Sequence, residues 1–317
     1  MLKRFLAAFR DLRKRMLAMQ EAQAKVAAAE VPRLRAAVAY NTKNVPIFAP
    51  DGFPSFVKSY IRSHESSSDS FAKAVAVVQK ELGIQADGFC GPSTINSIAS
   101  RDRQEKGPRS VIIGPRAYPI GTEVVTYLDA KEWAGLPSRS RSEDIRQVVL
   151  HYDVTFDSHS TLNVLRMRKL SYHFLIDGDR DATIYQTHNP TTNVCFHAGP
   201  ANNHSVGVCL NNPADPKYQA RDTRQRGRQR PVRHDNVHGG SVELLDFFEE
   251  QLEVVNQLVP ILCKALGVPN QIPRREDGQP KKGVLKDPAS FSGVLGHYHL
   301  TTSKIDPAPL DWEDLTL

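Results

Sequence analysis

The apolar positions of the chain repeat first with a helical period. Leu2, Phe5, Leu6, Phe9, Leu12 and Met16 fall three or four residues apart, and the pattern continues through an Ala-rich stretch to Pro32. This spacing predicts one long amphipathic helix over residues 1–40. A connector over 41–65 carries Pro46, Pro50 and Pro54, and a Ser-rich run, Ser66–Ser70, precedes a second helical pattern. There Phe71, Val75, Val78 and Leu82 share one face, Gly83 suits a C-cap, Asp87-Gly88 makes a turn, and Pro92 starts another helix through Ile95 and Ile98. Residues 66–104 therefore read as a small all-α module, two short helices around a tight loop.

Residues 105–146 form a connector rich in Pro, Gly and Arg, with short strands at Val111-Ile112-Ile113 and Val124-Val125-Thr126-Tyr127 that begin the next domain. From Gln147 the period shortens. Strand-like runs at Val148–His151, Tyr172–Ile176, Ala182–Gln186 and Ser205–Leu210 alternate with helix patterns, which predicts an α/β domain over 147–317. The strongest helix pattern, Val242–Leu266, follows Gly239-Gly240 and carries Leu245, Phe248, Leu252, Val255, Leu258 and Leu262 on one face, with Pro260 as a kink. The segment at about 213–240 differs: Arg221, Arg224, Arg226, Arg228, Arg230 and Arg233 occur with almost no apolar residues. It reads as a flexible, solvated insertion facing an anionic polymer. Without interleaved aromatics or a folded binding motif, no nucleic-acid partner is expected.

Length and composition refine this picture only slightly. At 317 residues with 40% apolar content, the chain can build two folded domains and an extension. No run of about 18 apolar residues is present, so no membrane-spanning helix is predicted. Through Tyr40, nine basic residues face three acidic ones, a net +6 that equals the formal charge of the whole chain. That charge fits a helix lying on an anionic membrane or lipopolysaccharide, pairing with a partner, or packing on its own protein. Its apolar residues are interleaved with charges, so no Sec signal peptide is expected. Cys90, Cys195, Cys209 and Cys263 form no CxxC pair and read as reduced, buried thiols, although Cys195 and Cys209 lie in runs that could meet across a sheet.

Candidate chemistry is concentrated near the end of the chain, in Gly296-His297-Tyr298-His299 and Lys304-Ile305-Asp306-Pro307, with His151 closing an apolar run. Two imidazoles and a carboxylate can hold Zn²⁺ and leave a fourth position for water, the arrangement of a hydrolase. His299 rivals Asp306 as third ligand, because on a strand it would share a face with His297. His159, His173, His188 and His204 read as core or surface histidines.

Two resemblances follow from these residues. Val78-Gln79, Leu82-Gly83, Asp87-Gly88, Phe89, Gly91 and Thr94 resemble a peptidoglycan-binding module, with Phe89 one place out of the usual order. VVLHYD, LSYHFLID, CFHAG, NNHSVGVCL and GHYHLTTSKIDP, in that order over about Gln147 to Trp312, resemble the zinc-dependent N-acetylmuramoyl-L-alanine amidases of the amidase-2 class, whose fold is shared with phage amidase lysozymes and peptidoglycan recognition proteins. This second resemblance implies a mixed central sheet flanked by helices. It implies Zn²⁺ on His151, His297 and Asp306, with Tyr172 beside the zinc water, Lys304 at the oxyanion, and His197 and Asn211 lining the substrate groove. Ala308 stands where the family usually has Gly after Asp-Pro. No carboxylate lies in Gly207–Asn211, which implies the branch relying on tyrosine and lysine, as in the phage enzymes. The implied role is cleavage of the bond between N-acetylmuramic acid and L-alanine by a phage endolysin or lysin, made in the cytoplasm and acting on the wall in the periplasm or outside the cell. The alternatives are a secreted antibacterial amidase, an endopeptidase, and a noncatalytic recognition protein.

Overall fold

The computed structural model describes residues 2–61 and 64–316, and within the first helix the side chains of 2–14, 17, 20 and 22–29 lie outside the described set. The helices are α1 (Leu2–Phe48), α2 (Ser55–Ile61), α3 (Asp69–Glu81), α4 (Pro92–Lys106), α5 (Ser158–Arg168), α6 (Gln219–Arg226) and α7 (Glu249–Leu266). The strands are β1 (Ser110–Ile113), β2 (Arg116–Pro119), β3 (Val124–Thr126), β4 (Ser138–Ser140), β5 (Gln147–Tyr152), β6 (Phe174–Ile176), β7 (Ile184–Gln186), β8 (Asn193–Cys195), β9 (Ser205–Leu210), β10 (Val232–Val237), β11 (Gly240–Leu245) and β12 (Gly293–Gly296). They form two units, one of Met1–Val45 with Ser55–Thr94, the other of Pro46–Pro54 with Ile95–Leu317.

The first unit is all-α. Ser68 caps α3, its Oγ accepting from Phe71 N at 3.1 Å, and Gly83 just past the helix takes φ +68°. Phe71, Val75 and Val78 of the face read from the sequence are buried together with Ala72, while Leu82 is half-buried at the C-cap. The Asp87-Gly88 loop is organised by buried Gln79, whose amide donates to Asp87 Oδ1, Phe89 O and Thr94 Oγ1 and whose Oε1 accepts from Asp87 N and Gly88 N. Gly88 has φ +79°, and a Cβ there would lie 2.9 Å from Ala72 O, so only glycine fits.

The predicted helix boundary needs correction. α1 passes Pro32 and Pro46, each of which withdraws one amide donor, because its later turns are held by packing. Asn41 donates to Gly88 O at 2.8 Å and accepts from Cys90 N at 2.7 Å, and Tyr40 sits edge-on to Phe89. This end of α1 is thus part of the small module. The apolar stripe read over Leu2, Phe5, Leu6, Phe9 and Leu12 lies outside the described side chains, while Met16 and Met19 are exposed.

In the second unit a six-stranded sheet has the order β12-β5-β9-β6-β7-β3, with only β6 and β7 antiparallel. The mixed sheet expected for the α/β domain is present, and β3 shows that the domain starts upstream of Gln147. Alternation divides its faces. Val148, Leu150, Val206, Val208 and Phe174 pack with α7, while Leu175 and Cys209 pack with Trp133 and with Leu162 and Leu165 of α5.

Two expectations fail here. The helix read from Val242 starts only at Glu249, because His238-Gly239 is the turn of the β10–β11 hairpin and Val242–Leu245 lies in its second strand. The arginine-rich insertion is folded, not flexible. Arg230 is completely buried, pairing with Asp222 at 3.0 Å, and Arg226 pairs with Asp177 and Arg228 with Glu250, each at 2.6 Å. Acidic partners, Asp222 inside the segment and Asp177 and Glu250 outside it, fold an apparently solvated charge run, with the pairs of Arg226 and Arg230 buried.

Candidate metal centre

β5 carries His151 to the sheet edge nearest the end of β12. Its register places it opposite Cys209, so it faces the α5 side of the sheet. β12 ends at Gly296, and His297–His299 makes a 3₁₀ turn instead of continuing as a strand. That turn separates the two late histidines. His299 accepts from Gly296 N through Nδ1 at 2.8 Å and donates through Nε2 to Lys281 O, which points it away from His151. Asp306 comes back instead: Tyr298 N donates to its carbonyl at 3.0 Å, and a Cβ on Gly296 would lie 2.5 Å from Pro307 Cδ, so the loop closes only over glycine.

His151 Nδ1, His297 Nδ1 and Asp306 Oδ2 converge. The two nitrogens are 3.1 Å apart and the carboxylate oxygen is 3.0 Å from each. Ligands bound tetrahedrally to Zn²⁺ at about 2.0–2.1 Å stand roughly 3.3 Å from one another, so the triangle fits such an ion after an adjustment of a few tenths of an ångström. Among the described residues these three make the one cluster able to hold a metal. Burial pushes His151 down to about 4 even though its hydrogen bond to Asp306 pulls it up, and Lys304's charge adds to the lowering. The imidazole is therefore neutral, as a metal ligand must be. Burial alone would raise Asp306, but hydrogen bonds from both histidines hold it well below the usual carboxylate range.

The other expected site residues are placed as follows. Tyr172 lies with its ring centroid 4.9 Å from that of His151, and burial raises its hydroxyl well above the usual range, so it stays a proton donor. Lys304 is exposed, and its carbonyl accepts from His238 Nε2 at 2.8 Å. A cavity of about 470 Å³ opens beside His297, walled by Ala198, Pro200, His204, Pro288 and Leu300. His197 does not line it: the ring is nearly buried behind His151, with Nδ1 3.0 Å from His151 Nε2. Asn211 does not line a groove either. It is fully buried, donating to Asp153 and Thr155 and accepting from Arg226 Nη2 at 2.7 Å. The loop residues Asp87, Gly88, Phe89, Gly91 and Thr94 belong to the other unit, where they form its internal corner. Cys90, Cys195, Cys209 and Cys263 are free and buried.

Sequence reasoning missed Ser205, Gly207 and His238. Ser205 and Gly207 lie inside NNHSVGVCL, but only the folded chain brings them against His197, and His238 sits in the hairpin that was read as a mobile loop.

Residues 141–309, just over half of the chain, match the family Amidase_2, N-acetylmuramoyl-L-alanine amidase. No curated protein matches. Among solved structures, AmpDh3 of Pseudomonas aeruginosa in complex with anhydromuramic pentapeptide is 20% identical, with 54% of this chain and 58% of that chain covered and a TM-score of 0.35. AmiD of E. coli, bound to an anhydro-N-acetylmuramic acid peptide, is 18% identical over 39% of this chain and 45% of that one, with a TM-score of 0.29. The amidase LysC of Clostridium intestinale is 14% identical over 56% of this chain and 85% of that one, with a TM-score of 0.31. The chain thus spans less than two thirds of the first two. On the match over residues 141–309, which contain His151, Tyr172, His297, Lys304 and Asp306, the chain belongs to the N-acetylmuramoyl-L-alanine amidase family.

Proposed function

We propose that this chain is a zinc-dependent peptidoglycan amidase that cleaves the bond between the lactyl group of N-acetylmuramic acid and L-alanine. The observation that carries the reading is the convergence of His151, His297 and Asp306 beside an open cavity, inside the family match. These three side chains would hold Zn²⁺, which when bound lowers the pKa of water and polarises a carbonyl. The carboxylate of Asp306 supplies one negative charge, and the two imidazoles remain neutral donors. Tyr172, a persistent phenol against His151, orients a nucleophilic water or passes it a proton. Lys304, two residues before Asp306, brings an ammonium to the tetrahedral oxyanion of the substrate, a contribution on the order of 3 kcal/mol.

Around this core, the small module is read as a wall-binding unit that raises effective substrate concentration, and residues 1–40 as a contact to anionic membrane or lipopolysaccharide. The whole fits a phage endolysin or lysin acting on peptidoglycan. Mass spectrometry of muropeptides after digestion of sacculi, with and without chelator, tests the activity. Stem peptides beginning at L-Ala and lost on chelation support it. Unchanged sacculi would leave a noncatalytic recognition protein, and cleavage inside the peptide would mean an endopeptidase.

A further inference from the structure

The buried side of His151 carries a chain of polar groups ending on a carbonyl. His151 Nε2 lies 3.0 Å from His197 Nδ1, His197 Nε2 lies 3.2 Å from Ser205 Oγ, and Ser205 Oγ donates to Ala201 O at 2.7 Å. Two oxygens at that last distance need a proton between them, and a carbonyl has none, so the serine supplies it. Ser205 Oγ must then accept from His197 Nε2–H. His197 Nδ1 is left as an acceptor, and His151 Nε2 becomes the donor to it. By this sequence His151 donates from Nε2 and its Nδ1 lone pair is free for a metal ion; without the ion, Asp306 Oδ2, 3.0 Å from Nδ1, competes for the same proton.

We infer that His197 is a positioning residue that, through Ser205 and Ala201, fixes His151 in the tautomer that binds metal through Nδ1. The inference rests on the zinc reading above. Its parts are held rigidly. His151 and Ser205 are fully buried, and His197 and Ala201 are nearly so. Ala201 belongs to the 3₁₀ turn Gly199–His204, which is clamped by Arg141, itself buried and donating to Pro190 O, Asn203 O and Ser205 O. Gly207 makes room for the relay, since a Cβ there would lie 2.7 Å from the His197 ring. Ligand histidines commonly pass their second N–H to an acceptor that sets ring orientation, and loss of that acceptor costs about 10- to 100-fold in metal affinity. Here the acceptor is another imidazole whose own proton is set two groups further on.

The test measures zinc affinity by competition with a chromophoric chelator, and imidazole ¹⁵N shifts in the zinc-loaded protein. His197→Phe keeps the ring shape but removes the acceptor, and is expected to weaken zinc roughly 10- to 100-fold. His197→Gln can accept and donate across a similar span, and is expected to restore most of the affinity. In the zinc-loaded wild type, His197 should carry its proton on Nε2 and accept the Nε2–H of His151 at Nδ1, a result that does not depend on how any variant folds. Equal affinity of His197→Phe and wild type, or a proton on His197 Nδ1 in the zinc-loaded protein, would overturn the relay. Failure of the wild type itself to take up zinc would overturn the metal reading instead.

Discussion

Replacing Arg230 with Met tests whether the arginine-rich insertion is part of the folded core. The guanidinium is held by Asp222 Oδ2 at 3.0 Å, Asp246 O at 3.1 Å, Gln251 Oε1 at 3.0 Å and Asn211 O at 3.2 Å. Burial lowers its pKa to about 10, against the pull of Asp222, which leaves it charged at neutral pH. Methionine roughly conserves the volume but strands a carboxylate with no solvent exposure, and stranding a buried charge costs about 3–5 kcal/mol. Urea unfolding followed by tryptophan fluorescence reads this unit alone, because the chain's two tryptophans, Trp133 and Trp312, are both buried within it. With a urea dependence of about 3 kcal/mol/M, the midpoint should fall by at least about 1 M. Asp222→Leu added to Arg230→Met should recover most of the loss, since an apolar pair can replace a buried ion pair. A single variant within about 0.5 kcal/mol of wild type would refute the buried network and return the insertion to the solvated loop suggested by its composition.

Lys304→Gln should lower kcat by about 100- to 1,000-fold with zinc content unchanged, and steady-state kinetics on soluble muropeptides would show it; near-normal kcat would remove lysine from the oxyanion role. His238→Ala removes the N–H that holds the Lys304 carbonyl, so kcat should fall by about fivefold, the value of one net hydrogen bond, with unchanged zinc affinity. An unaltered kcat would show that the hairpin does not brace this loop. Stability of the metal-free protein should fall as pH drops from 6.5 toward 4. Burial lowers His188 to about 4 and holds His173 well below its usual range, so both stay neutral in the fold while the unfolded chain takes up protons near 6.5. A urea midpoint that is flat or rising over that interval would contradict this sign.

The strands were legible because their signal is local. Ser205–Leu210 and Val148–His151 are short apolar runs, and both lie at the centre of the sheet where they are buried on two faces. The helix at Val242 was misread because Val242, Leu244 and Leu245 satisfy a helical face as well as a strand, and only the pairing of β11 with β10 decides between them. The metal residues were legible as types but not as a set. His299 remained a rival to Asp306 until the backbone turned at His297, a change of direction with no signature in the apolar pattern. His197 shows the limit of carrying roles over by motif: Ala198 and Gly199 do line the cavity, but the imidazole between strand and turn points inward.

The central claim is that His151, His297 and Asp306, and not His299, hold one zinc ion. Equilibrium dialysis with metal analysis of the four single alanine variants addresses it directly. The account predicts one zinc per chain in wild type and His299→Ala, and little or none in His151→Ala, His297→Ala and Asp306→Ala. Loss of zinc from His299→Ala with retention in Asp306→Ala would contradict it.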